Sequence, residues 1–164
     1  MKKFFTLFVA AVLAVMTVNA KDYKHSVGMV GGLGIGAQYK TMVMDNFTII
    51  AELGYFFNPN GGNNIGYFGV PMANGVAAYQ GHITEGQGIK LDFYAGGQLK
   101  MGYAIGGMGV FGTGAAGGIE ANMTNAPIAF SFDFRPGYAF LFDGTGVWGH
   151  MFDYSFNLGV RYTF

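Results

Sequence analysis

The sequence predicts an all-β protein. It is read as an eight-stranded antiparallel up-and-down β-barrel that crosses a membrane, following a cleaved N-terminal signal peptide. Three observations carry this. Residues 152–164, FDYSFNLGVRYTF, alternate strictly: Phe152, Tyr154, Phe156, Leu158, Val160, Tyr162 and Phe164 on one face, polar residues and glycine on the other. Similar alternation recurs along the chain, and side chains of a strand alternate with period two. Charged residues make up only 11% of the chain and apolar ones 51%, whereas a typical soluble domain is about 25% charged.

The first 20 residues, MKKFFTLFVAAVLAVMTVNA, open with Lys2 and Lys3. An apolar core runs from Phe4 to Val18 and closes on Val18-Asn19-Ala20, a small-residue cleavage pattern. The core is short for a membrane helix, which needs about 20 apolar residues. Residues 1–20 are therefore expected to be a removed signal peptide, with residues 21–164 forming the barrel domain. Beyond Ala20 no apolar run reaches the length of a membrane helix, so an exported chain either dissolves or spans a membrane with strands.

The strands follow in order. HSVGMVGGL gives Val27, Met29 and Leu33 as a weak apolar face, and IGAQYKT sets Ile35, Ala37 and Tyr39 against Gly36, Gln38 and Lys40. FTIIAELGYFF sets Phe47, Ile49, Ala51, Leu53, Tyr55 and Phe57 against Thr48, Ile50, Glu52, Gly54 and Phe56. NGVAAYQGHI sets Ala77, Tyr79 and Ile83 against Ala78, Gln80 and His82. IKLDFYAGGQLK sets Ile89, Leu91, Phe93, Ala95 and Leu99 against Lys90, Asp92, Tyr94, Gln98 and Lys100. GAAGGIEAN sets Ile119 and Ala121 against Glu120 and Asn122, and PIAFSFDFRP sets Ile128, Phe130, Phe132 and Phe134 against Ala129, Ser131, Asp133 and Arg135. The closing segment completes a set of eight strands of about ten residues each, the length a tilted membrane strand needs.

The first pair is expected to join near Gly34. Short turns rich in Asn, Asp, Gly or Pro are expected at 44–46, 84–88 and 123–127. Longer links are expected at 58–73, 101–110 and 139–151, giving a short-turn end and a long-loop end. The aromatic face is too bulky for an eight-stranded lumen, which side chains only just fill. It is therefore assigned to lipid, and the small and polar face to the lumen. Charges on that inner face must pair, because an unpaired buried charge is costly. The expected network is Glu52, Lys90, Asp92, Glu120, Asp133, Arg135, Asp153 and Arg161.

The signal peptide, the amphipathic strands and the terminal GVRYTF resemble small bacterial outer-membrane barrels of the OmpX and OmpA-transmembrane type. More narrowly, GIEANMTNAPIAFSFDFRPGY followed by LGVRYTF is similar to small barrels of the Bacteroidetes. The matching positions are Gly118, Ile119 and Glu120, then Pro127, then Asp133, Phe134, Arg135 and Pro136, then Arg161, Tyr162 and Phe164. Ala121 departs from the aromatic usual there. The resemblance implies the bacterial outer membrane as location. It also implies that Val160, Tyr162 and Phe164 form a signal read by the barrel-assembly machinery. It implies no shared activity.

Other chemistry is weakly represented. GMGVFG, Gly107 to Gly112, fits the G-x-G-x-x-G pattern, but dinucleotide binding requires a strand before it and a helix after it. The histidines are His25, His82 and His150, and the serines Ser26, Ser131 and Ser155. His25 and Ser26 are neighbours and face opposite ways on a strand. Ser131 and Ser155 fall on the lumen face, and His150 is expected in the last loop. Nucleophile, base and acid do not converge, and scattered histidines with no cysteine make no metal site. Lysine plus arginine equals aspartate plus glutamate at nine each, so there is no basic footprint for nucleic acid. The expected function is a non-enzymatic barrel with a filled polar lumen and contact loops. It is expected to be a monomer without cofactor, with outer-membrane lipid and the assembly machinery as partners. A transporter of small apolar solutes and a lipid-modifying enzyme are the alternatives.

Overall fold

The computed structural model describes residues 23–56, 70–104 and 107–164. The expected signal peptide and the part of the 58–73 link up to residue 69 lie outside the described residues. Eight strands follow in chain order: β1 His25–Gly32, β2 Gly34–Met44, β3 Phe47–Phe56, β4 Val70–Gly86, β5 Ile89–Ala104, β6 Met108–Met123, β7 Ile128–Asp143 and β8 Gly146–Thr163. Each pairs antiparallel with its sequence neighbour, and β8 returns to β1, so the sheet is a closed barrel. The seam runs from Ser26 opposite Thr163 to Gly32 opposite Asn157. It is extended by His25 and Phe164, whose amides exchange hydrogen bonds at 3.1 and 2.8 Å. Closure pairs β8 with β1 along the whole of β1, so no strand edge is left open at that height; above it, residues 146–156 of β8 pair with β7.

The two ends differ from the expected pattern of short turns against long loops. At one end, which holds Phe164, the joins are as short as expected: Asp45-Asn46, Gln87-Gly88 and residues 124–127. Gln87 and Gly88 both have positive φ, at 52° and 84°, which suits a two-residue hairpin turn. At the far end the expected links at 101–110 and 139–151 are mostly strand. Residues 105–107 alone separate β5 from β6, and Gly144-Thr145 alone separates β7 from β8. The cause of the last turn is local. Asp143 Oδ1 accepts hydrogen bonds from Thr145 N at 2.7 Å, Thr145 Oγ1 at 2.6 Å and Gly146 N at 3.2 Å, closing an Asx-type turn. Likewise Val70 to Ala73 belong to β4 rather than to a link. Strand length is therefore uneven: β1 to β3 have 8 to 11 residues, β4 to β8 have 16 to 18. One side of the wall is much taller than the other.

Faces follow the alternation. Ser26, Gln38, Glu52, Asp92, Glu120, Asp133, Arg135 and Arg161 are buried inside, while Met29, Leu53, Leu99, Phe132, Phe156 and Leu158 are exposed outside. Outer rings stack along β7 and β8, with Phe134 and Phe156 at 4.7 Å between centroids. So narrow a ring bends each strand sharply, and some inward positions have no room for a side chain. Gly28 is such a position: a Cβ there would lie 2.0 Å from Val160 O and 2.6 Å from Arg161 Cα, across the seam. Gly31, three residues on and facing outward, has open space around it.

These glycines give a test of the seam. Gly28→Ala should destabilise the folded barrel by about 1–3 kcal/mol, as overpacking does. Gly31→Ala should stay within about 0.5 kcal/mol of the parent. Denaturant titration of both variants checks the difference, and equal stability would contradict the crowded seam.

Candidate functional site

Among the described residues polar and charged side chains concentrate in the lumen, and they are set there by strand parity. Glu52 on β3 and Arg135 on β7 face each other across the ring. Arg135 Nη1 donates to Glu52 Oε2 at 2.6 Å and Nη2 to Oε1 at 2.8 Å, a two-bond fork. Such pairs combine strength with fixed geometry. Arg135 also holds Asp133, two residues back on the same face, with Nη2 at 2.9 Å from Oδ2 and Nε at 2.7 Å from Oδ1. Asp133 accepts further from Tyr94 Oη at 2.6 Å and Asn157 Nδ2 at 2.8 Å. Glu52 accepts from Gln38 Nε2 at 2.5 Å and Asn74 Nδ2 at 2.9 Å.

A second centre sits on Glu120 of β6. Lys40 of β2 reaches it from across the ring at 2.8 Å, and Arg161 of β8 donates to the same carboxylate. Arg161 also donates to Gln38, which joins the two centres. Tyr23, just before β1, turns its hydroxyl into the lumen to Glu120 and Asn122. Asn122 Nδ2 continues to Asp92 Oδ2 at 3.0 Å, and Asp92 meets His82 Nδ1 at 3.0 Å. The residues of both centres are essentially inaccessible: Glu52, Asp133, Arg135, Lys40, Glu120 and Arg161 are all 2% exposed or less.

Six of the eight residues expected in this network lie in it: Glu52, Asp92, Glu120, Asp133, Arg135 and Arg161. Asp153 pairs instead with Lys100, as a separate ion pair nearer the far end. Lys90 is not brought in. It sits half-buried beside the Gln87-Gly88 turn, on a cavity of about 760 Å³ at the turn end, and makes no ion pair among the described residues. The register of β4 against β5 shifts between His82 and Thr84, next to this position. Lys40, which Glu120 requires as its second cation, had been placed on the inner face but not in the network. Its signal was the alternation Gln38, Lys40 in IGAQYKT.

The remaining candidates are dispersed. His25 lies on the outer face against Tyr39 and Phe164, while Ser26 beside it is fully buried in the lumen. Ser131 is buried inside and Ser155 bonds to Asn157 at 3.1 Å. His150 is in β8 against Phe140, not in a loop. GMGVFG runs into β6, with no helix after it. Val160 and Phe164 are exposed on the outer face and Tyr162 is half-buried there. Searches of protein-family models, curated proteins and solved structures find no match to the chain.

The paired lumen predicts a distinctive mutational pattern. Arg135→Met leaves both Glu52 and Asp133 without their cation and should cost at least about 3–5 kcal/mol, as breaking a buried pair does. Adding Glu52→Leu removes one of the two stranded carboxylates, Asp133 keeping Tyr94 and Asn157 as donors, and should restore part of that loss, because replacing both members of a buried pair is often neutral. Urea titration of the folded barrel reads both, and a double variant no better than the single one would contradict the pairing.

Proposed function

We propose that the chain is an integral protein of the bacterial outer membrane: a monomeric, non-enzymatic barrel with a plugged polar lumen that displays its tall side at the cell surface. The supporting observation is the inversion of polarity. Charged and amide side chains fill the inside, and large apolar side chains cover the outside on all eight strands. In water that arrangement exposes apolar surface far beyond the few hundred Å² a soluble monomer tolerates. In a bilayer it matches the outward apolar band of a membrane barrel, about 25 Å tall. Among the described residues no helix is long and apolar enough to cross a membrane, which does not bear on this reading, because barrels cross with strands.

The braces across the ring support the plugged reading. Arg135 to Glu52 and Lys40 to Glu120 each join strands four apart in an eight-strand ring, so they cross the lumen. A water-filled channel does not fit around them. The uneven wall supports surface display. At about 3.3 Å per residue a strand of 16 residues or more exceeds 50 Å before tilt, well beyond the apolar band. In this reading β4 to β8 carry their far ends out of the membrane as hairpins. The contact surface is then a rigid rim rather than the long loops expected at 101–110 and 139–151. The resemblance to OmpX-type barrels fits the same picture, with Val160, Tyr162 and Phe164 as the assembly signal and residues 1–20 as the export signal.

Cell fractionation is the test. The mature chain should begin at Lys21, be recovered with the outer membrane, and shift in electrophoretic mobility when heated. Recovery as a soluble protein would overturn the proposal. In planar bilayers the pure protein should give no stable large pore, as expected for a filled eight-stranded interior; reproducible conductance would overturn the plugged lumen.

A further inference from the structure

Tyr23 breaks the parity that sets the strand residues of the lumen. Alternation through β1 buries Ser26 and Val30 inside and exposes Val27 and Met29 outside, so an odd position such as 23 belongs on the outer face. The backbone instead bends at Lys24. The wall begins there, with Lys24 O accepting from Met42 N at 2.8 Å. Tyr23 lies just before it, and its hydroxyl reaches Glu120 and Asn122 on β6, three strands away round the ring. The same residue borders the 760 Å³ cavity at the turn end, whereas Glu120 does not border it and is fully buried. One side chain thus touches open space and the Glu120 centre together.

This contact is detachable, unlike the others of the network. Without Tyr23, Glu120 keeps Lys40 at 2.8 Å and Arg161. Withdrawal of the phenol therefore costs a hydrogen bond and strands no charge, whereas removing Arg135 strands two carboxylates. The adjoining cavity gives the ring room to move into.

We propose that Tyr23 is a hinged stopper that seals the Glu120 centre from the turn-end cavity. Its hydroxyl is the latch, and its withdrawal opens the lower lumen to water and small solutes. Through passage stays closed. Ser131 is the cross-strand neighbour of Glu120, and Arg135, four residues further along β7 toward the far end, still crosses the ring to Glu52. The stopper deepens the plugged reading at one end of the lumen, and it concerns the inside of the ring whatever surrounds the barrel.

The test is thiol accessibility in the full mature protein, folded in detergent. The chain has no cysteine. Ser131→Cys puts a thiol beside Glu120, where the serine Oγ has no hydrogen-bond partner to lose, and Ala139→Cys puts one in the apolar far end. Both positions are buried. Reaction with methanethiosulfonate ethylammonium, followed by mass spectrometry, should be slow at both in the parent. Tyr23→Ala should speed it about tenfold at the Ser131→Cys thiol, the shift in open population expected from losing a hydrogen bond to a charged group. The Ala139→Cys thiol should be unaffected. Tyr23→Leu, too short to reach Glu120, should act in the same direction and keeps the test decisive where Tyr23→Ala does not fold. Fast reaction at Ser131→Cys in the parent, no change on removing the phenol, or an equal rise at both thiols from general loosening would each overturn the proposal. Conductance tests the plug separately, since Arg135 and Glu52 are untouched.

Discussion

Arg135 reaches across the ring from β7 to Glu52 on β3 and, on the same side chain, holds Asp133. Everything else in the lumen is arranged around the need this meets. A ring of eight strands has an interior just wide enough for side chains. Inward carboxylates therefore cannot hydrate, and each must find cations and amides within that width. Glu52 takes one guanidinium and two amides; Glu120 takes one ammonium, one guanidinium and a phenol. The same width explains the inward glycines. Gly28 faces the lumen where neighbouring backbone comes too close for a Cβ.

The pairing also sets what the outside must be. With polar groups turned in, period-two alternation turns Met29, Leu53, Phe132, Phe156 and Leu158 out. The lumen holds Tyr94 and Tyr23 through their hydroxyls but has no room for the phenylalanines of β7 and β8 as well, and the charges do not suit hydrocarbon. The two demands fix one register for each strand, because a slip of one residue exchanges the faces. In the proposed membrane setting closure of β1 on β8 is required, since an open edge in hydrocarbon would leave backbone groups unpaired.

Much of this was legible in the sequence because faces follow from parity alone. Glu52 and Arg135 are far apart in the chain, but each sits on the small, polar face of its own strand. What parity does not give is axial height, so Asp153 and Lys90 were grouped with charges that lie at other levels. Asp153 is nearer the far end with Lys100, and Lys90 is beside a turn. Strand ends at the far rim also lie beyond where alternation alone puts them. Asp143-Gly144-Thr145-Gly146 carries its own turn signal, an Asx acceptor followed by glycines. Glycine-rich stretches such as 101–110 were read as links, although a tightly curved strand also needs glycine. The apolar far end of the lumen is not legible in the sequence, because Val110 and Leu141 fall within the expected links.

The central claim is that the aromatic and aliphatic face meets lipid. The chain has no cysteine, so single cysteines at Phe130, Phe132, Leu158 and Val160 can carry nitroxide labels without a background. Electron paramagnetic resonance of each labelled protein in lipid vesicles would measure collision with oxygen, which concentrates in hydrocarbon, and with a water-soluble nickel chelate. The account predicts high oxygen and low nickel accessibility at all four positions. High nickel accessibility at these positions in vesicle-bound protein, or exclusion of both agents, would contradict it.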